Sequence, residues 1–174
     1  MMLILTGEKG SGKTTLVKNL LEEHRIAAQG FLSVKEMQGG EVTGISLLIL
    51  PEHTSIPMAT TTPLSTDTFT KRFYFYPGVF DRVNSHFRSI RRKCPFIFDE
   101  FGLLEREEKG HYPVFGSLLK SSHPSLIVVR SELTDDLVSF LGGSCPYRIV
   151  DMADPDPAAV RRQVLALLQS RCKG

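Results

Sequence analysis

No apolar run in this sequence approaches the roughly 20 residues that a membrane-spanning helix needs. No basic residue precedes the first apolar segment, so a secretory signal is not expected there. Cysteine is scarce: Cys94, Cys145 and Cys172 are the three present, and none forms a C-x-x-C pair. An odd, scattered set excludes a disulfide frame or a thiolate zinc site and points to reduced thiols in the cytoplasm. The five histidines are scattered as well, so no protein-only metal site is visible. Net charge is +2, too small to draw nucleic acid or an anionic membrane by bulk electrostatics, and neither partner is expected. What remains is ordinary: 174 residues, 41% hydrophobic and 23% charged, which suits one domain over 1–174 with a full core.

Against that plain background one segment stands out. Residues 7 to 14 read Gly-Glu-Lys-Gly-Ser-Gly-Lys-Thr, a match without exception to G-x-x-x-x-G-K-[ST]. It follows the apolar run Met2 to Leu5 and opens a helix-like stretch from Thr14 to Glu23. Strand, Gly-rich loop and helix in that order are the context in which the motif cradles phosphate. Gly7, Gly10 and Gly12 let the backbone curl so that successive N–H groups point inward at phosphate oxygens. The helix N-terminus adds unpaired donors and partial positive charge. Gly7, Glu8, Lys9, Gly10, Ser11, Gly12, Lys13, Thr14 and Thr15 are therefore expected to hold a nucleoside triphosphate. Lys13 reaches the β- and γ-phosphates, and the Thr14 hydroxyl ligates Mg²⁺ that arrives with the nucleotide.

Along the rest of the chain, strands and helices alternate. The patterning predicts a strand over 2–6 and a helix over 13–24, then extended runs over 30–37 and 41–50 about Gln38-Gly39-Gly40, a hairpin signal. Residues 51–70, rich in Thr and carrying Pro51, Pro57 and Pro63, read as a surface loop. A strand is expected over 71–76, a helix over 79–93 and a short apolar strand over 95–99. Helices over 113–121 and 135–141 flank a strand over 125–130, with Thr134 as N-cap of the second. A strand over 147–150 leads to a final helix capped by Asp154 with Pro155 in its first turn. The fold class expected is α/β: three layers, with a mainly parallel central sheet, helices on both faces and an antiparallel hairpin extension.

The second chemical signal is Phe96-Ile97-Phe98-Asp99-Glu100. Three apolar residues and then an acid fit a buried strand whose carboxyl end faces the ligand crevice of an open α/β sheet. Asp99 is expected to hold Mg²⁺ with Thr14. Glu100, one residue on, is placed to polarise a water for in-line attack on the γ-phosphate. Two absences narrow the choice. N-K-x-D, the guanine-reading motif of Ras-type GTPases, does not occur, and Leu141-Gly142-Gly143-Ser144 is a helix stop rather than an ABC-type signature.

These residues together resemble the thermophilic-NTPase / cancer-related nucleoside-triphosphatase family of small P-loop NTPases. The resemblance spans most of the chain. It rests on Gly7 to Thr15, on Gly30-Phe31 after the first helix, and on Asp99-Glu100-Phe101-Gly102 followed by Leu104-Glu105. It implies the P-loop NTPase fold, slow Mg²⁺-dependent hydrolysis of several ribonucleoside triphosphates with loose base choice, a magnesium role for Asp99 and a base role for Glu100.

Other residues have competing readings. Arg130 ends a strand, so it either touches the γ-phosphate as a transition-state cation or pairs on the surface with Glu132 or Asp135. Phe73 to Tyr76 offers a face for base stacking, or simply packs in a sheet. Arg88, Arg91, Arg92 and Lys93 complement a helix C-terminus, or act as a lid. His111 and Tyr112 are candidates for the mouth of the site. The alternatives to a hydrolase are a small-molecule kinase sharing the donor site, with residues 51–70 or the basic run around its acceptor, and a nucleotide-dependent switch that hydrolyses slowly. A protein partner is left open.

Overall fold

In a computed structural model of the chain, residues 1–88, 94–121, 123–143 and 145–170 are described. Their centre is an eight-stranded sheet in the order β5-β4-β3-β2-β6-β7-β1-β8. Five neighbouring strands, β2 (Gln29–Gln38), β6 (Phe96–Phe101), β7 (Ser125–Val129), β1 (Met2–Thr6) and β8 (Tyr147–Asp151), run parallel. Strands β3 (Glu41–Leu50), β4 (Thr54–Thr60) and β5 (Tyr74–Phe75) continue it antiparallel from β2. The expected α/β class, parallel core and hairpin extension all hold.

The inner strands are buried on both faces, and alternation sorts their side chains between two cores. Leu3, Leu5, Ile97, Leu126 and Val128 face helices α1 (Lys13–His24) and α6 (Pro157–Leu168). Met2, Ile4, Phe96, Phe98, Ile127 and Val129 face α2 (Val79–His86), α4 (Tyr112–Leu119) and α5 (Thr134–Leu141). The second core is rich in aromatic rings: Phe31, Phe98 and Phe115 pack in series at tilted angles, with centroids 4.9 and 5.8 Å apart. Close approach of β2 to β6 requires Gly30. It has φ +110°, and a Cβ there would lie 2.0 Å from the Ile97 carbonyl oxygen.

Several local expectations are corrected. Residues 51–70 are not all loop, because β4 pairs with β3 across the stretch. Pro57 is tolerated beside a register shift where the ladder is already irregular. The strand expected over 71–76 shrinks to Tyr74–Phe75. Phe75 is buried and packs on Phe80 at 5.1 Å, so this aromatic run serves the sheet. Helix α2 ends at His86, and Ile90, Arg91, Arg92 and Lys93 lie outside the described residues. A one-turn helix α3 (Leu103–Arg106), absent from the sequence reading, follows β6 directly. Thr134 opens α5 from inside rather than capping it. The tandem Asp-Pro pairs misplaced the last cap by two residues. Asp156 accepts from Ala159 N–H at 3.0 Å and Pro157 starts the helix, while Asp154 only closes a turn onto Asp156 N–H.

Candidate active site

Because β1, β6, β7 and β8 are parallel, their carboxyl ends share one edge of the sheet. The phosphate loop leaves β1 there. Gly10 and Gly12 have φ +85° and +90°, and Gly12 leads straight into α1. Lys13 is buried, and its ammonium donates to Gly7 O at 2.6 Å and Glu8 O at 2.8 Å. Burial pulls its pKa down; the carboxylates of Glu100 and Asp99 push it back up. The loop is braced on both flanks. Ser131 N–H donates to Gly7 O at 3.1 Å, Met152 N–H donates to Thr6 O at 2.9 Å, and the Thr6 and Thr134 hydroxyls meet at 2.6 Å. Sequence reasoning missed this brace: Thr134 is spent on Thr6 rather than on capping its helix.

Asp99 and Glu100 end β6, and a bulge separates their fates. Asp99 pairs with Val128 and Phe101 with Val129, so Glu100 has no partner in the ladder. Asp99 and Phe101 are buried, whereas Glu100 is half-buried, its side chain re-aimed by the extra residue. Asp99 is 1% exposed, and one of its oxygens accepts from Ser33 N–H at 3.2 Å. Burial, then the neighbouring Glu100, raises its pKa to about 7, against bonds from the Thr14 hydroxyl and Ser33 that lower it. A buried carboxylate this poorly compensated, with a hydroxyl at its side, suits a hard cation with oxygen ligands. The donor set of Thr14 and Asp99 therefore fits Mg²⁺, which ordinarily takes one or two protein oxygens and completes its shell with phosphates and water.

Arg130 follows β7, the strand between β1 and β6, and so stands between the phosphate loop and the two acids. Its Nε is 3.5 Å from Glu100 Oε1, and its Nη1 is 3.3 Å from Glu132 Oε1. Of the two surface partners expected for this arginine, Glu132 is the one in contact, and Glu100 is a second acid beside it.

His111 does not line the mouth of the site. It is 2% exposed, with its ring between Phe31 and Phe80 at 4.9 Å from each. Burial lowers its pKa to about 3, so it is neutral. Glu105, which the sequence offered only as part of a motif, is buried beneath the site, and its carboxylate accepts from Gly102 N–H and His111 N–H.

A family model described as NTPase matches residues 2–163. The chain belongs to the NTPase family. This places it among nucleoside-triphosphate phosphohydrolases. Two relatives named Nucleoside-triphosphatase THEP1 align over 134 residues each. The one from Metallosphaera sedula is 26% identical, over 76% of this chain and 73% of its own. The one from Natranaerobius thermophilus is 24% identical, over 75% of each. Among solved structures, THEP1 from Aquifex aeolicus superposes with a TM-score of 0.75 at 20% identity, covering 98% of this chain and 100% of its own. A human cancer-related nucleoside triphosphatase superposes at 0.71 and 17% identity, covering 97% of each chain. At such identities the superpositions speak for the fold of this NTPase family member.

Proposed function

We propose that the protein hydrolyses the bond between the β- and γ-phosphates of nucleoside triphosphates, ATP and GTP among them, in a Mg²⁺-dependent reaction in the cytoplasm. The observation that carries the proposal is the placement of Glu100, bulged out of β6 beside Arg130 at the sheet edge where the phosphate loop also ends.

In this reading the N–H groups of Gly7 to Thr15 and the Lys13 ammonium hold the phosphates. Thr14 and Asp99 hold the metal. Bound Mg²⁺ would neutralise charge on the β- and γ-phosphate oxygens. Glu100 orients a water for in-line attack on γ-phosphorus and takes its proton, and the products are the nucleoside diphosphate and inorganic phosphate. Arg130, aligned by Glu100, stabilises charge on the transferring phosphoryl group.

The test is phosphate release by Glu100→Gln over ATP, GTP, CTP and UTP with Mg²⁺. Loss of a positioned base costs about 10²- to 10⁴-fold in kcat. Undiminished turnover by a folded variant removes Glu100 from this role.

A further inference from the structure

We infer that Glu105 is a positioning residue for Glu100, acting through the backbone of the turn that joins β6 to α3. The inference rests on the base role of Glu100 proposed above.

Only Phe101 and Gly102 separate Glu100 from α3. Phe101 is fully buried, with its ring 5.2 Å from Phe115 and 5.8 Å from Phe140. Gly102 is held by its N–H, which donates to Glu105 Oε2 at 3.0 Å. The other oxygen, Oε1, accepts from His111 N–H at 2.8 Å. Both bonds are buried, and Glu105 is 5% exposed. The carboxylate thus ties the end of the Glu100 strand to a segment six residues beyond itself.

That segment is anchored separately. Asn84 on α2 donates through Nδ2 to Gly110 O at 2.9 Å, which turns its Oδ1 toward His111 Nδ1 at 3.1 Å. Asn84 Oδ1 can only accept, so Nδ1 of the neutral imidazole carries the proton. Gly110 also makes room for the carboxylate: at φ +62°, a Cβ there would lie 2.5 Å from Glu105 Oε1.

A simpler account makes Glu105 the return half of a capping box for α3. Capping a one-turn helix needs one oxygen. Here the second is spent on His111, and burying a carboxylate is tolerable only when its oxygens are satisfied. Two N–H groups converge on the two oxygens, so an acceptor is required on both sides. Glutamine has nearly the same shape, yet it must turn an NH₂ donor toward one of those N–H groups. A pure cap predicts lower stability with unchanged chemistry. A positioning residue predicts slower chemistry at unchanged nucleotide affinity.

The experiment compares wild type, Glu105→Gln, Gly110→Ala and Glu100→Gln. It measures kcat by Mg²⁺-dependent ATP hydrolysis and Kd with a fluorescent non-hydrolysable ATP analogue, after folding is checked by circular dichroism. Glu105→Gln and Gly110→Ala should each lower kcat tenfold or more, with Kd within threefold of wild type. A folded Glu105→Gln with wild-type kcat overturns the inference, and so does a Kd that weakens in proportion to kcat. If Glu105→Gln does not fold, Gly110→Ala decides by the same two criteria. Glu100→Gln at wild-type kcat overturns the base reading and this inference with it. An inactive Glu100→Gln beside a normal Glu105→Gln overturns the positioning alone.

Discussion

Arg130 Nε lies 3.5 Å from Glu100 Oε1, and the two residues stand at the ends of adjacent parallel strands. The contact is half-exposed, with side chains 24% and 35% accessible, so it adds little to stability. In the proposed reaction its value is orientation. Removing Arg130 should therefore damage turnover far more than folding. Arg130→Ala should lower kcat by on the order of 10²- to 10³-fold with its Tm nearly unchanged. Arg130→Lys should recover part of the loss, since it keeps the charge and lacks the planar fork. Steady-state phosphate release decides the matter, and a loss under threefold for the alanine variant leaves Arg130 a surface ion-pair residue.

The phosphate loop was legible because its chemistry is local: eight consecutive residues carry the whole spacing, between a short apolar strand and a helix. The positions of Asp99 and Arg130 at neighbouring strand ends were legible at one remove, since alternating strands and helices imply parallel strands whose carboxyl ends meet. What escaped the sequence reading depends on partners far along the chain. Gly30 is required by a carbonyl oxygen of Ile97. Thr134 looked like a cap, and its hydroxyl is taken by Thr6. Glu105 sits in an acidic, polar-looking run with Glu107 and Glu108, where a solvated helix face is the ordinary reading. Its burial comes from the folded chain around it, where Gly102, Gly110 and His111 close on its carboxyl group. Strand β4, which lies between β3 and the short β5, was hidden by threonine and proline, which mark loops locally but are tolerated where β3 supplies the pairing.

His111 makes a prediction about acid. Its folded pKa is about 3 against an ordinary 6.5, so below pH 6.5 the unfolded chain binds a proton that the folded chain refuses. Stability from this group is complete above pH 6.5 and falls by about 1.4 kcal/mol per pH unit down to about pH 3. His111→Phe fits the ring between Phe31 and Phe80 and removes the titration. At pH 7 it should lose about 1 kcal/mol with the Asn84 bond. Between pH 6.5 and 4.5 it should lack the acid-dependent loss that His111 contributes to the wild type. Urea unfolding of both proteins at these pH values measures the slopes, and parallel slopes reject the assignment.

Asp99 has the opposite sign. Its folded pKa is about 7 against an ordinary 3.8, so between these values the folded protein binds the extra proton. Its contribution therefore favours the nucleotide-free fold at low pH and is lost as pH rises from about 4 to 7. In the wild type the slopes of Asp99 and His111 largely offset each other between pH 4 and 6.5. Removing either one should expose the other. Asp99→Asn keeps an acceptor for Ser33 N–H and carries no charge to bury. At pH 8 it should be more stable than wild type by up to about 4 kcal/mol, and near pH 4 the advantage should vanish. Magnesium and a non-hydrolysable nucleotide should change this ranking. At a ligand concentration of 100 times Kd, binding stabilises the wild type by about 2.7 kcal/mol, whereas the variant, lacking the carboxylate proposed to hold the metal, should gain much less and hydrolyse nothing. Thermal melts at pH 4 and 8, with and without the ligand pair, give both readings. An Asp99→Asn protein that is no more stable at pH 8, or that is stabilised by Mg²⁺ and nucleotide as strongly as wild type, would mean that the buried charge of Asp99 is not being held in reserve for the metal.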